Sequence, residues 1–193
     1  MKRLLLILIL IFSFQTLTKA EDISDFEIEG VSIGDNLLNF LTIDEIKNST
    51  YPVMRGSKEF NKYHKVPLNN NSNRYDNVLL YYKKDDPDKI IQAVAGRNYY
   101  VENIDECYDL QKTIVKELES IFTESKKNNN GKERVSGFPN GESYKYDVSF
   151  YLKDGSVVHT ACYDFSIKDT QTRDRLSIGI FSQNYLDWYW SLK

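Results

Sequence analysis

Tyr144-Lys145-Tyr146-Asp147-Val148-Ser149-Phe150-Tyr151-Leu152-Lys153-Asp154-Gly155-Ser156-Val157-Val158-His159-Thr160-Ala161-Cys162-Tyr163 is the stretch on which the fold turns. Tyr144, Tyr146, Val148, Phe150 and Leu152 alternate with Lys145, Asp147, Ser149, Tyr151 and Lys153, the period of two that marks a half-buried strand. Asp154-Gly155 supplies a turn, and Val157 to Phe165 returns beside the first strand. Leu176, Ile178 and Ile180 continue the meander as a third strand. Further upstream, Val78 to Tyr82 and Ile90 to Ala95 flank Asp85-Asp86-Pro87-Asp88, whose proline and aspartates favour a turn, so they read as a second hairpin.

Between the two strand regions lies a helix pattern. Ile104, Cys107, Leu110, Ile114, Leu118, Ile121 and Phe122 recur every three or four residues, while Lys112, Lys116, Glu117 and Glu119 avoid that stripe. Asn103 can cap the helix, with Glu106 three residues on and Asp105 at the positive end of the dipole. Lys126-Lys127 and Asn128-Asn129-Asn130-Gly131 read as its stop. Nearer the start, Phe26-Glu27-Ile28-Glu29-Gly30 alternates as a strand does, and Gly30 and Gly34 mark turns. Asp35 is placed to cap a short turn through Leu37, Leu38 and Phe40. Thr42-Ile43-Asp44-Glu45 has the capping-box pattern of a helix that must end before Pro52. Residues 53–75 support at most one irregular strand, with Asn69, Asn70, Asn71 and Asn73 as an exposed loop. Tyr185, Leu186, Trp188, Tyr189 and Trp190 form an aromatic cluster expected to dock as a short helix. The fold expected is α+β: antiparallel sheet or sheets, one long central helix packed on one face, and short helices near both ends. Each half of the chain also reads as a helical segment followed by antiparallel strands, although no residue period repeats.

The amino terminus sets the compartment. Lys2 and Arg3 precede an apolar run from Leu4 to Phe14, and Ala20 offers a small residue at a cleavage position, so residues 1–20 read as a cleavable signal peptide and residues 21–193 as one domain. Eleven helical residues reach about 16 Å, against a hydrocarbon core of about 30 Å, too short to anchor. No cysteine stands at the cleavage position, so lipid attachment is not expected. Removing Lys2, Arg3 and Lys19 from the 25 basic residues leaves 22 against 28 acidic ones, a net charge of −6. An acidic chain without a basic stripe argues against nucleic acid and anionic membrane as partners, and no later segment is long and apolar enough for stable membrane insertion.

An exported chain with two cysteines invites a disulfide between Cys107 and Cys162. Register decides whether it can form. With a two-residue turn at Asp154-Gly155, Phe150 opposes His159 and Cys162 falls on the face away from the helix. With a three-residue Lys153-Asp154-Gly155 loop and glycine left-handed, Leu152 opposes Ser156, Phe150 opposes Val158 and Tyr146 opposes Cys162, which then faces Cys107. The second register puts Val158 and Cys162 inside and His159 and Lys153 outside, and it is the one expected.

Chemistry is sparse. His64 and His159 lack any spacing that brings a second metal ligand to the same face, and both read as surface residues. Asp85 to Asp88 lacks the calcium-loop spacing, and Gly30 to Gly34 lacks the phosphate-binding pattern. No cofactor, metal site or catalytic residue is expected. Tyrosines crowd the strands, and Tyr81, Tyr99, Tyr151 and Tyr163 are the candidate binding surface, since tyrosine joins an apolar ring to a wet hydroxyl. The leading expectation is therefore a periplasmic or secreted, non-enzymatic binding or interaction domain for a protein or small-molecule partner in the envelope. A small hydrolase using paired carboxylates and an inhibitor of an envelope enzyme are the alternatives.

The Leu/Ile-rich start, the stretch Phe26-Glu27-Ile28-Glu29-Gly30-Val31-Ser32-Ile33-Gly34-Asp35 and the Asn103-Ile104-Asp105-Glu106-Cys107 helix start together resemble a family of small exported bacterial proteins with no assigned activity. That resemblance implies export and brings no site residues. The early helices followed by antiparallel strands also look somewhat like the small envelope lipoproteins of outer-membrane assembly, without their lipidation cysteine.

Overall fold

The computed structural model describes residues 23–53, 61–68, 74–100, 103–135, 138, 140–170 and 172–192. The signal segment and the asparagines at 69, 70, 71 and 73 lie outside these. After 3-10 turns at Ile23–Asp25 and Leu37–Asn39 come helix α1 (Ile43–Ser49) and strands β1 (Tyr51–Pro52), β2 (Tyr63–Pro67), β3 (Asn77–Lys83) and β4 (Ile91–Tyr100). Helix α2 (Ile104–Ile121), strands β5 (Lys126–Arg134), β6 (Tyr144–Tyr151), β7 (Val157–Asp164) and β8 (Asp174–Phe181), and helix α3 (Gln183–Trp190) follow. The strands form one antiparallel sheet in the order β1-β2-β3-β4-β8-β7-β6-β5. Two four-stranded meanders, each preceded by a helix, thus join along β4 and β8.

This corrects the expected architecture. No long central helix organises the molecule: an eight-stranded antiparallel sheet does, and 18-residue α2 packs mainly over β7 and β8, with Gln111 and Tyr108 also reaching Tyr146 of β6. The misreading has a local origin. Lys126 to Gly131, read as the helix stop, belongs to the edge strand β5, almost wholly exposed and polar, so its pairing with β6 leaves no apolar period to read. A bulge at Asn130 bends it, with Gly131 at φ +65° and the Asn129 side chain accepting from the Gly131 N–H at 3.0 Å. Charged side chains and a bulge blunt such an edge against further pairing.

Two more expectations change near the start. Phe26 to Gly30 is not a strand: Ile28 and Val31 make an isolated bridge across a turn that puts Glu29 and Gly30 at positive φ. Asn36, not Asp35, caps the 3-10 turn by accepting from the Leu38 N–H at 2.8 Å, while Asp35 accepts from the Ser32 N–H at 2.8 Å. The capping box at Thr42 and Glu45 forms as read, with both reciprocal bonds. Asn103 caps α2 through the Asp105 N–H.

The sheet's first face carries the main core. Val66, Val78, Leu80, Ile91 and Val94 lie under Ile28, Val31, Leu37, Leu41 and Ile46, and Val148, Phe150, Val158, Cys162, Leu176, Ile178 and Ile180 lie with Cys107, Leu118 and Phe122 of the α2 segment. Leu110, expected on the buried stripe of α2, is 40 % exposed, and Gln111 is buried instead, donating to the carbonyls of Tyr146 and Thr160 at 3.0 Å each. The three-residue loop is present: Gly155 has φ +82°, the Leu152 N–H bonds to the Ser156 carbonyl, Phe150 opposes Val158 and Tyr146 opposes Cys162. Cys162 therefore meets Cys107 in a disulfide, their Cα atoms 6.0 Å apart. On the second face, Tyr185, Leu186 and Trp188 of α3 cover Tyr63, Leu79, Tyr81, Ala93, Ala95 and Val157. Among the described residues no helix is long and apolar enough to cross a membrane.

Candidate functional site

Helix α3 covers only one end of the second face. At the other end the strand register lines up a row of side chains: Glu133 opposite Lys145, Lys145 opposite Tyr163, Tyr163 opposite Arg175, and Arg175 opposite Tyr99. Directly opposed residues in antiparallel strands share a face. One step nearer α3 the next row runs Asp147, Ala161, Ser177, Arg97 and Asn77. Ala161 carries only a methyl group here, while toward α3 the Phe181 ring lies over Gly179 and the helix covers Ala95. Strand β2 adds Lys65, opposite Tyr51 on β1 and Tyr81 on β3, in a row nearer α3 than that of Asn77 and Arg97.

The charges in these rows separate into two groups. Asp147 is nearly buried and fully engaged: Lys145 Nζ lies 2.7 Å from Oδ2, His159 Nε2 2.8 Å from Oδ1, and Ser149 Oγ donates to Oδ1 at 3.2 Å. Burial alone would raise the Asp147 carboxyl, but the hydrogen bonds and charges of His159 and Lys145 outweigh it and hold the group far below its ordinary value. Glu133 lies 3.2 Å from the same Lys145 Nζ. These two carboxylates thus neutralise Lys145, and Asp147 stays ionised with no proton to donate at neutral pH.

The second group has cations and no anions. Lys65, Arg97 and Arg175 make no ion pair and no side-chain hydrogen bond with any described residue. Arg175 lies over the Tyr163 ring at 4.6 Å and the Phe165 ring at 4.9 Å, two rings that stack in parallel, and Lys65 lies over the Tyr51 ring at 5.0 Å. Burial and then the Arg97 charge push the Arg175 guanidinium below its ordinary value, with Tyr163, Tyr99 and Tyr81 opposing. Burial, followed by Arg97 and Arg175, likewise lowers Lys65. Arg97 Nε, Arg175 Nε and Asn77 Oδ1 are buried polar atoms without a hydrogen-bond partner among the described residues. A buried donor or acceptor left unpaired costs about 1–3 kcal/mol, and three within two rows of one sheet is a concentration that a bound group would relieve.

The tyrosines expected to form a surface are divided by this arrangement. Tyr99 and Tyr163 lie in the cationic row. Tyr81 is buried, its ring 5.6 Å from Tyr185 of α3, and so is removed from any exposed surface. Tyr151 sits at the α3 end, packed against the aromatic cluster. His159, expected on the surface, is mostly covered and held by Asp147, whereas half-buried His64 bonds through Nε2 to Asn61 Oδ1 at 2.8 Å. Sequence reading passed over Lys65, Arg97, Arg175 and Asn77. One signal was there: Arg97 falls in the same phase as Ala93 and Ala95, so a cation occupies an inward-facing slot of a β-prone run.

A separate groove of about 540 Å³ lies beyond α3, lined among others by Lys62, Lys83, Asp86, Gln92, Asp187 and Trp188. Its charges are balanced in sign, and Gln92 and Asp187 already bond to Ser182 and Gln183. The cationic rows have the stronger unmet demand although they form an open face and not a cavity. Among the described residues no group of three His, Cys, Asp or Glu side chains is placed to share a metal ion. Comparison of the chain with protein-family models finds no match, and comparison with curated proteins finds none either.

Proposed function

We propose that this chain is an exported, non-enzymatic binding domain whose second sheet face recognises an anionic ligand through Lys65, Arg97 and Arg175. One observation carries the reading: on a chain with net charge −6 after signal removal, three cations converge on a sheet face without a carboxylate partner among the described residues. Unmatched like charges repel, so such a cluster costs stability unless a ligand offsets it. Stacking on Tyr163 and Phe165 holds the Arg175 guanidinium flat, which leaves its N–H fork free for a bidentate oxyanion. The Cys107–Cys162 disulfide supports an oxidising compartment, since such bonds persist there and are rare in the cytosol.

Calorimetric titration of the oxidised protein, residues 21–193, with sodium sulfate tests the anion site. Sulfate should bind, and Arg97→Ala and Arg175→Ala should each weaken it about tenfold or more, as expected for loss of a hydrogen bond to a charged group. Equal binding by wild type and both variants, or no binding, refutes the reading. For export, amino-terminal sequencing of the protein recovered from the cell envelope or medium should begin at Glu21, and intact chain confined to the cytosol would refute it.

A further inference from the structure

We infer that the anion taken by the second face is an acidic saccharide, a sugar unit bearing carboxylate or sulfate, and this rests on the anion-binding reading above. The unmet groups are of two kinds. Arg97 and Arg175 demand acceptors, whereas Asn77 Oδ1, directly across from Arg97, demands a donor. A simple oxyanion satisfies only the first kind. A sugar acid satisfies both, because hydroxyl donors lie a few bonds from its charged group. The terminal torsion of an asparagine amide is soft, so Oδ1 can turn to a donor arriving over the strand at little cost.

The rest of the face favours hydroxyl-rich ligands over an acidic protein surface. Protein interfaces centre on a water-free apolar core with a polar rim. Here the centre holds Arg97, Asn77 and Ser177, and Tyr99 and Tyr163 border it with rings and hydroxyls. Among the described residues the exposed aliphatic side chains, Leu38, Ile43, Leu110 and Ile167, belong to other segments, and of the exposed aromatic ones Tyr51 lies on this face and Trp190 on α3. Nucleic acid would want a longer cationic track than three side chains on an acidic chain. Cations stand on β2, β4 and β8, spread across four neighbouring strands, so the face suits an oligomer with repeated charges better than a single ion.

The experiment titrates the oxidised protein with a short oligogalacturonate, a heparin-derived oligosaccharide, a neutral maltooligosaccharide of equal length, sodium sulfate, poly-glutamate and a single-stranded oligonucleotide. Carboxylated and sulfated sugars are separate arms, so the source of the anionic group is read directly. At least one acidic saccharide should bind about tenfold or more tighter than sulfate, with the neutral sugar silent. Arg97→Ala and Arg175→Ala should lose both saccharide and sulfate. Asn77→Leu should lose the saccharide's advantage yet keep sulfate, which a merely unfolded variant cannot do. Lys116→Ala, exposed on α2, serves as the unaffected control. Sulfate binding without saccharide preference overturns this inference and leaves the anion site standing. Absence of any anion binding overturns both. Tighter binding of poly-glutamate or oligonucleotide, equal binding of the neutral sugar, or parallel loss of sulfate and saccharide in Asn77→Leu also overturns it.

Discussion

Replacing Cys107 and Cys162 together by alanine removes the one covalent tie between α2 and the sheet, and its cost follows from the chain length enclosed. The cysteines are 55 residues apart. In the loop-entropy account, closing a loop of that length lowers the denatured chain's entropy enough to stabilise the fold by about 4 kcal/mol. That is a large share of the 5–15 kcal/mol typical of a whole domain. For a domain of this size each kcal/mol moves the melting temperature by roughly 2–4 °C, so the double variant should melt about 8–16 °C lower. Urea unfolding separates the two states on which the change acts. Because the bond constrains mainly the unfolded chain, its removal should expand that chain and raise the slope of stability against denaturant. Reduction of the wild type by dithiothreitol should reproduce the variant's midpoint. A double variant or reduced wild type that melts within about 2 °C of the oxidised protein would refute the entropic reasoning. Two alkylatable thiols in the untreated protein would remove its premise.

Asp147→Asn should destabilise by about 1–3 kcal/mol, because Lys145 and His159 lose a shared carboxylate in a mostly covered site. The folded carboxyl titrates below its ordinary value of 3.8, so its stabilisation is present above that value and fades as pH falls beneath it. The gap between wild type and Asp147→Asn in urea melts should therefore be full near neutrality and shrink below about pH 4; a gap that stays constant into strong acid contradicts the assignment. Gly96→Ala should cost about 1–3 kcal/mol, since an added Cβ would stand 2.6 Å from ring atoms of Tyr75. In a Tyr75→Ala background the same change should be nearly free, and a double-mutant cycle without coupling would show that the ring is not the obstacle.

What could be read in advance was whatever a single segment decides for itself. Leu152 to Ser156 carry their own loop chemistry, so the glycine fixed the hairpin register and, through it, the face of Cys162. The Thr42 box and the Asn103 cap are likewise settled within four residues. Burial of Gln111 in place of Leu110 depended on two strand carbonyls from elsewhere in the chain, and no helical period encodes those. Edge strand β5 shows the opposite failure, for its side chains are polar and mostly exposed and its conformation comes from backbone pairing with β6. The cationic face was the least legible of all. Lys65, Arg97 and Arg175 are scattered over more than a hundred residues and meet because β8, the last strand made, inserts beside β4 and not at a free edge. Had the second meander docked by β5 instead, Arg175 would stand three strands farther from Arg97 and the charges would not converge. The order of strands, which is a property of the whole sheet, is therefore what creates the demand for an anion that no local stretch of sequence displays.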